Sequence, residues 1–443
     1  MSPGLGRGLG LGSLGTMPLG GASYDLATII NRPSSNIFRR VQVKRRNQSD
    51  GKYEADWQDV TEFVKKFGTV DVSVDDIRLN RFRHSGVNVV FRNDIGRFND
   101  ETNSSSLWFN YMTRYRTLVR VQAGYENDQG ELPSDSSQGV FLLNDELEND
   151  ADSNEVVFRC SALPVVFEEV RAERIPGLNA TQTASDIITK IMNHSDGSGN
   201  NIFREFITST SWTIQATTQN YLLSTDATLQ NMSVWQLMEK LAEAEQFVVL
   251  PTRTGGLEFV DRDARTTTSQ FSFYGQGFPE MNVIRLKGEK EAVNKLYTYA
   301  RLKYLDPDTA TSYVSAGTTT AVASTNTAWR FGQRTYEMDN QFAHNTATAQ
   351  AIVDGFVSEF QDVKKEVEFD AKLHPTLQAL DRIELSYRSY DIAYASLYDV
   401  AIFDADVFSR EGQNFDYDGK PYVVLSRKSN LDNFVMTIRA REA

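Results

Sequence analysis

Four histidines are the side chains of this sequence best suited to bind a metal ion or to act as a general base. They are His84, His194, His344 and His374, and they are isolated from one another along the chain. None stands in an HxxxH or HExxH spacing, which would bring two ring nitrogens to one metal ion. His374 precedes Pro375, and we interpret it as a turn residue.

The chain has one cysteine, Cys160, which excludes an intramolecular disulfide and a zinc site built from several thiolates. Cys160 lies in the strand-like run VVFRCSA. Free cysteine is among the residue types most often found in protein interiors. The sequence therefore predicts a buried structural thiol.

An acidic run, NDELENDADSNE, offers the oxygen ligands that Ca²⁺ prefers. It lacks the glycine at the sixth loop position and the spacing to a closing glutamate that define an EF-hand. We interpret the cluster from Asp145 to Asp152 as a solvated face of a loop, and we predict no metal site there.

Motifs of common enzyme classes are missing from the sequence. It contains no GxSxG, no P-loop and no GxGxxG after a strand, and the glycines of GLGRGLGLG open no phosphate-binding unit. Glycosidases need two carboxylates that meet only in the fold, and 59 acidic residues give no basis for choosing a pair. We therefore predict no catalytic, metal or cofactor-binding residue, no cofactor and no enzymatic activity.

Size and charge limit the class of protein. The 443 residues are too many for one core and predict about two to four domains. No apolar run approaches the roughly 20 residues of a membrane helix, and MSPGLGRGLGLGSLG lacks the apolar core of a signal peptide. The net charge of −13 argues against a nucleic-acid-binding protein, because affinity for phosphates comes mainly from Lys and Arg.

The N-terminal half predicts an arm and a β domain. Residues 1–35 are rich in glycine and predict a flexible arm, held in place by a neighbouring subunit. Residues 36–168 predict a small barrel or sandwich, because WQDVTEFV, GTVDVSVDDIRL, VNVVFRN, TLVRVQAGY and EVVFRCSALPVVF are strand-like. The polar segment 126–155 predicts loop around the short strand VFLL.

Residues 169–330 predict an α+β unit. Thr183 and Asp186 have the spacing of a helix cap before TASDIITKIM, and Ser233 and Gln236 have the spacing of a capping box. The helix that follows Ser233 leads into FVVL and LEFVD, which flank TRTGG and predict a hairpin. Residues 305–328 are rich in Thr, Ala and Ser and predict a long exposed loop.

Residues 331–443 predict a second β unit. NTATAQAIVDGFVSEF predicts a helix with one apolar stripe. VEFDAKL and DRIELSY alternate apolar and polar residues, and YVVLSRKS pairs with FVMTIRA as a closing hairpin. The whole chain is thus predicted to be α+β and β-rich, with β units on both sides of an α+β middle.

This order resembles the tail hub proteins of bacteriophages and of related contractile injection machines. The likeness rests on four stretches: WQDVTEFVKKFGTVDVSVDDIRLNRF with VNVVFRNDIGRF; TASDIITKIM; SVWQLMEKLAEAEQFVVLPTRTGGLEFVDRD; and the helix at 345–360 with VEFDAKLHPTLQALDRIELSY and the closing hairpin. It covers most of residues 40–443. The sequence departs from the usual pattern of these proteins in two ways. It has a glycine-rich arm, and it lacks the long C-terminal extension into which related tail-tip proteins often continue.

The resemblance implies two tail-tube-like β-barrels per chain and a homotrimer, in which six barrels form a pseudo-sixfold ring around a DNA channel. It implies a virion protein at the tail tip or baseplate. The partners it implies are other copies of the chain, the tail tube or distal tail ring protein, a tip fibre or spike protein, and the tape measure protein. Genomic DNA would pass through the channel without specific binding. Acidic residues in the lumen would repel it.

Two other functions remain open from the sequence. A receptor- or carbohydrate-binding tail module would present exposed aromatic platforms, although tryptophans such as Trp235 in SVWQLM stand in patterned segments that favour core packing. A cell-wall-degrading tail enzyme is disfavoured because its motifs and the C-terminal extension are missing.

Overall fold

The computed structural model of the protein describes most of the chain in segments. They are residues 36–49, 51–75, 82–84, 86–98, 104–111, 117–126, 136–150, 154–178, 181–195, 212–221, 232–262, 269–276, 280–304, 312–317, 334–340, 342–343, 346–388 and 416–443, with Ile30, Phe203, Leu223, Leu229, Phe278 and Gly332. The predictions for residues 1–29, for His344 and for most of 305–328 lie outside these segments. Ile30, near the end of the predicted arm, is buried in the core of its own chain.

The structure is β-rich and has few helices, which confirms that part of the predicted fold class. The strands of the N-terminal region are β1 Ile37–Lys44, β2 Gln58–Asp59, β3 Val64–Lys66, β4 Thr69–Val74, β5 Phe82–His84, β6 Val87–Arg92, β7 Leu118–Tyr125, β8 Ser137–Asp150 and β9 Glu155–Ala162. Short 3₁₀ helices cover Thr61–Phe63, Ala172–Arg174 and Val293–Lys295.

The remaining elements follow in chain order. The strands are β10 Gln182–Thr183, β11 Trp212–Ile214, β12 Asn220–Tyr221, β13 Phe247–Pro251, β14 Leu257–Asp261, β15 Ser269–Tyr274, β16 Val283–Glu291, β17 Tyr299–Tyr304, β18 Ser312–Gly317, β19 Thr335–Asn340, β20 Lys365–Lys372, β21 Arg382–Arg388, β22 Asp416–Asn430 and β23 Val435–Glu442. The helices are α1 Pro164–Glu169, α2 Ala184–Met192, α3 Val234–Glu245 and α4 Thr346–Phe360.

The first sheet has seven strands in the order β2-β1-β7-β8-β9-β6-β3. Its end strands, β2 and β3, are consecutive in the chain and are separated by the 3₁₀ turn Thr61–Phe63. One short segment therefore pairs with β1 at one edge of the sheet and with β6 at the other, so the sheet curls until its edges meet. Side chains of a strand alternate between its two faces. In β1, Val41 and Val43 therefore point into the core, while Arg40 and Lys44 do not.

The second sheet follows the path β15-β21-β22-β23-β20-β16. The strand β4 also belongs to this sheet, since Val70 and Val72 stand opposite Ser429 and Arg427 of β22. The strand β5 pairs with β4. A hairpin from the N-terminal region thus completes a sheet built mainly from the C-terminal region.

The two sheets share one hydrophobic core. It contains Val41 and Phe158 from the first sheet, Phe369 and Ile438 from the second, and Val248 from β13. A second core lies in the middle region, and most buried residues of α4, among them Ile352 and Val353, belong to it. The predicted division at residues 36–168, 169–330 and 331–443, with two separate barrels, stays a prediction. The sheets cross its boundaries, since β4, β15 and β16 pair within the second sheet.

The helix caps predicted from spacing are confirmed. The Thr183 hydroxyl accepts a hydrogen bond from the Asp186 backbone N–H at 3.2 Å. Ser233 and Gln236 form the reciprocal capping box, with both bonds at 3.2 Å. After α3, Gln246 takes a left-handed conformation with φ 60°, which turns the chain into the β13–β14 hairpin. The sequence predicts these caps correctly because each depends on side chains only three residues apart.

Three predicted loop or strand segments are wrong. Residues 144–150 are not loop but the second half of β8, which pairs with β9 up to Asp150 opposite Glu155. The run after Leu163 is the helix α1 rather than strand, and Pro164 stands at its first position, where its missing N–H costs no hydrogen bond. Residues 312–317 form β18, next to β17, although they lie in the predicted Thr- and Ala-rich loop.

The described residues contain no helix long and apolar enough to cross a bilayer.

Asn282, directly before β16, bridges the strands β15 and β20 of the second sheet. It is only 1% exposed. Its backbone N–H donates to the Tyr274 carbonyl, and its side-chain Oδ1 accepts from the Tyr274 N–H, both at 2.8 Å. Its carbonyl accepts from the Lys372 N–H at 2.9 Å. Asn282 therefore links β15 to β20 through hydrogen bonds to the backbone of both strands, as a strand between them would.

We expect Asn282→Leu to lower the free energy of unfolding by about 2 kcal/mol, because it removes a buried amide and leaves the partly buried Tyr274 N–H without its acceptor. Urea unfolding followed by fluorescence measures the change. The control is Asn433→Ala, which removes an exposed acceptor of the Val435 N–H and should cost about 0.5 kcal/mol or less. Equal effects of the two substitutions would contradict a bridging role for Asn282.

Candidate functional site: the joint between the two sheets

Of the residues predicted to be suited to chemistry, those whose side chains the structure describes form no cluster that could hold a metal ion. Cys160 is buried as predicted, and burial raises the pKa of its thiol. His84 ends β5, and its side chain lies outside the described set. His194 is half-buried just after α2. In the described part of the chain, no group of three or more His, Cys, Asp or Glu side chains could hold a metal ion.

The backbone is tightly constrained at the place where the chain crosses from the first sheet to the second. Gly68 stands between β3 and β4 with φ +79°, and a Cβ there would collide with the carbonyl oxygen of Asn88. Only glycine meets both conditions without strain. The sequence gives a weak sign of this position, a glycine between two strand-like runs.

Side chains from the second sheet fix the crossing. The Asp432 carboxylate accepts the backbone N–H groups of Phe67 and Gly68, at 2.8 and 3.2 Å. The Arg39 guanidinium donates to the Asp432 carbonyl at 3.1 Å and lies 5.0 Å from the centre of the Phe67 ring. The turn between β22 and β23 is therefore tied to β1 and to the start of β4.

The hairpin between β13 and β14 makes a second connection between the sheets. Its loop residue Arg253 donates through Nη1 to the Pro375 carbonyl at 2.9 Å and to the Ser137 carbonyl at 3.4 Å. The Ser137 hydroxyl in turn donates to the Arg253 carbonyl at 2.7 Å. Gln138 donates to the carbonyls of Ala123 and Pro375, at 3.2 and 3.1 Å. One arginine and one glutamine thus join β7 and β8 to the turn after β20.

Close packing brings the hairpin loop to this position. Gly255 has φ +87°, and a Cβ on it would lie 2.9 Å from Cγ2 of Val140 in β8. The loop TRTGG therefore needs glycine both for its backbone conformation and for its approach to the first sheet. The sequence predicts the hairpin but gives no sign that Arg253 would reach two sheets.

His374 lies in the same joint, at a turn as predicted but inside the core. It is 4% exposed, and its ring centre lies 4.1 Å from that of Phe271. Burial, and then the nearby Arg253 and Arg427, lower the pKa of His374 to about 3. Its ring is therefore neutral at pH 7.

The neighbouring hydroxyl of Thr376 lies 3.2 Å from Nδ1 of His374, the distance expected for a nucleophile and its base. A general base is most effective when its pKa lies near the working pH, and the pKa of His374 is far below it. The pair therefore stabilises the turn, and we assign it no role in catalysis.

Arg427 is a buried cation of β22. It is 1% exposed and donates through Nη1 to the Leu377 carbonyl. Burial, and then Arg253, lower the pKa of Arg427 to about 10, while Asp381 has the opposite effect. Arg427 therefore remains charged at pH 7. We call the set Ser137, Gln138, Arg253, His374 and Arg427 the joint.

The outer face of the second sheet carries charges of both signs. Lys287 of β16 lies 2.8 Å from Asp370 and 3.3 Å from Glu368 of β20, and Lys365 lies 2.6 Å from Glu289. We call these five residues the charge ladder. Its cations and anions alternate across two strands, so the ladder is not a continuous acidic surface. The lining of the lumen by acidic residues stays a hypothesis.

No protein-family model matches the chain, and no curated protein matches it. Several solved structures, in contrast, are similar to the chain in fold. The tail protein from Neisseria meningitidis is 10% identical, with a TM-score of 0.50 over 92% of this chain and 96% of that chain. The prophage tail protein gp18 from Listeria monocytogenes is 11% identical over 91% and 94% of the two chains, with a TM-score of 0.48. The 43 kDa tail protein of prophage MuSo2 from Shewanella oneidensis is 9% identical over 91% and 98%, with a TM-score of 0.47.

The chain has the fold of a tail protein. At this level of identity the likeness to the Neisseria protein is one of fold, and it extends over nearly the full length of both chains. The resemblance predicted from four stretches of sequence is confirmed at that level.

We expect Arg253→Met to lower the free energy of unfolding by about 2 kcal/mol, because the buried carbonyls of Ser137 and Pro375 lose a charged donor. Urea unfolding measures the loss. Arg301→Met is the matched control on an exposed position of β17 and should change stability by about 0.5 kcal/mol or less. If Arg253→Met were no more destabilising than the control, the joint would not hold the sheets together.

The pKa of His374 predicts a pH effect. The folded pKa of about 3 is below the unfolded value of about 6.5, so the unfolded chain takes up the proton first and stability falls as the pH falls below about 6.5. Between pH 7 and pH 5, His374 should account for about 2 kcal/mol of lost stability, and His374→Gln should remove that part. Phe259→Leu, which alters packing in the separate core of the middle region, should leave the pH dependence unchanged. Equal pH dependence of His374→Gln and wild type would contradict the assignment.

Proposed function

We propose that the chain is a structural protein of a phage-type tail, a hub that joins the tail tube to the tip. The observation that carries the proposal is the fold likeness to the Neisseria tail protein over 92% of the chain. The joint and the crossing strand β4 support it, since they hold the two sheets as one body. A hub transmits load between neighbouring rings, and a rigid connection within each subunit suits that role.

In this proposal three copies form a ring. Each copy contributes two tube-like β modules, so a threefold assembly presents six similar modules to a hexameric ring above it. A closed ring needs one repeated head-to-tail contact between neighbouring copies. Two modules fixed in one orientation within each chain would allow the same contact to repeat around the axis.

The proposed location is the tail tip or baseplate of a virion. Proposed partners are other copies of the chain, the tail tube or distal tail ring protein, the tip fibre or spike protein, and the tape measure protein. Genomic DNA would cross the central channel without specific binding. The net charge of −13 supports this, because an acidic surface repels the phosphate backbone.

A purely structural role is also part of the proposal. It is supported by the joint, whose donors are used on backbone carbonyls, and by the low pKa of His374. A receptor- or carbohydrate-binding module is less well supported. Of the tryptophans the structure describes, Trp108 and Trp235 are buried, and Trp57 and Trp212 are half-buried, so none of these four offers a flat exposed ring.

Reconstruction of the assembled particle tests the proposal. We expect three copies of the chain around a central channel, each with both sheets facing the same axis. Mass measurement on the purified chain should show a trimer, or a monomer that becomes threefold in the particle. A particle that holds the chain as isolated single copies, or purified chain that digests cell wall, would overturn it.

A further inference from the structure

A cleft of about 710 Å³ lies where three parts of the fold meet. One wall comes from β5, which pairs with β4 in the second sheet, and another comes from the end of β9 in the first sheet. The third wall comes from α1 and the start of α3 in the middle region. Binding sites often lie between such units, and this volume is in the range of ligand sites. We call this space the junction cleft.

Backbone contacts hold the walls of the junction cleft in place. A Cβ on Gly86, which lines the cleft, would overlap the carbonyl oxygen of Cys160, so the turn after β5 packs directly against β9. Pro164 begins α1 two residues after β9 ends, and the chain turns there to form the adjoining wall. An isolated β-bridge joins the backbones of Arg171 and Ser233, and Ser233 is the N-cap of α3. The chain therefore forms the cleft by its own contacts.

The floor of the junction cleft is small and apolar. Phe82, Ala162 and Trp235 contribute to it, and each is at most 9% exposed. The indole Nε1 of Trp235 donates to Oε1 of Glu239 at 3.0 Å, so the polar atom of this ring already has a partner. Neither ring presents an open face. The floor therefore suits a small apolar side chain rather than the flat face of a sugar or a base.

The rim of the junction cleft carries charges of both signs. Arg83, Arg171 and Glu168 are exposed there, and Glu239 is half-buried. Arg83 lies 3.6 Å from the Asp75 carboxylate and keeps 75% of its side chain exposed. A phosphate chain in the cleft would meet the carboxylates of Glu168 and Glu239, which repel it. A rim of this kind is complemented by a partner that carries both acidic and basic side chains.

We propose that the junction cleft binds a short segment of another tail protein, with one small apolar side chain between an acidic and a basic one. The apolar side chain would lie on the floor, and the charged ones would pair with Arg171 and Glu168 at the rim. A second copy is the less favoured source of the segment, because each copy carries a net charge of −13 and two copies repel one another at long range. This inference rests on the proposed function and names one contact of the subunit within the tail.

Reconstruction of the assembled tail tests the contact directly. We expect density for a protein segment in the junction cleft, in contact with Glu168 and Arg171 and continuous with a chain other than this one. A cleft that is empty, that holds a small molecule, or that is filled by a second copy would overturn the inference while the chain still occupies the tail. Absence of the chain from the tail would overturn the proposed function instead, so the two failures are distinguishable.

A charge swap tests the same contact during assembly. Glu168→Arg with Arg171→Glu exchanges the two rim charges and leaves the net charge unchanged. The matched control is Glu173→Arg with Arg174→Glu, which changes two exposed residues that do not line the cleft. Completed tails are counted by electron microscopy in cells that make each variant in place of the wild-type chain.

The rim swap should lower the number of completed tails about tenfold or more, and the control should match wild type. Both variants should unfold at the temperature of wild type, because substitutions at exposed positions rarely destabilise. If the rim swap unfolds at a lower temperature, Glu168→Gln and Arg171→Gln repeat the comparison without adding a charge. Equal counts for the rim variants and the control would overturn the inference.

Discussion

The pairing of β4 with β22 is the interaction on which the rest of the structure depends. The strand lies early in the sequence, directly after a segment that completes the first sheet, yet its backbone hydrogen bonds are made in the second sheet. Backbone N–H and C=O groups must be paired when they are buried, so β4 cannot leave the second sheet without a large cost. Gly68, between β3 and β4, lies so close to the Asn88 carbonyl that a side chain would not fit, so the backbone is closely packed at the crossing. The two sheets are therefore mechanically one unit.

The joint follows from this constraint. Once β4 holds the sheets together, β8, the β13–β14 loop and the turn after β20 lie close to one another, and the polar groups buried between them need partners inside the protein. Arginine suits this position because its planar fork reaches several carbonyls at once, as Arg253 does with Ser137 and Pro375. The ring of His374 is neutral for a related reason. A third cation beside Arg253 and Arg427 would raise the electrostatic energy of the joint.

The sequence predicted what is decided locally. The caps at Thr183 and Ser233 depend on side chains three residues apart, and the β13–β14 hairpin depends on its glycine turn, so both were predicted and found. Alternation in GTVDVSV likewise predicted β4. It could not predict which sheet β4 joins, because both sheets face the same core and inward-facing valines would suit a strand of either sheet. The acidic residues after Leu143 favoured a loop, but pairing with β9 outweighs that local preference. Arg253 carries no signal at all, since its partners come from remote parts of the chain.

The outer faces of the two sheets both carry charged residues, but the charges are arranged differently on each face. In the charge ladder of the second sheet each charge has an opposite partner, because Lys287 meets Asp370 and Glu368, and Lys365 meets Glu289. A face of that kind gains little from a partner, as exposed pairs are already solvated and weakly coupled. The outer face of the first sheet is different, because Arg120 and Lys44 lie beside the ring of Trp57 and Arg40 pairs with Asp59. In a protein with a net charge of −13, such a cluster opposes the overall field of the molecule. The outer faces of the two sheets therefore differ in their local arrangement of charge, which the total charge of the chain does not reveal.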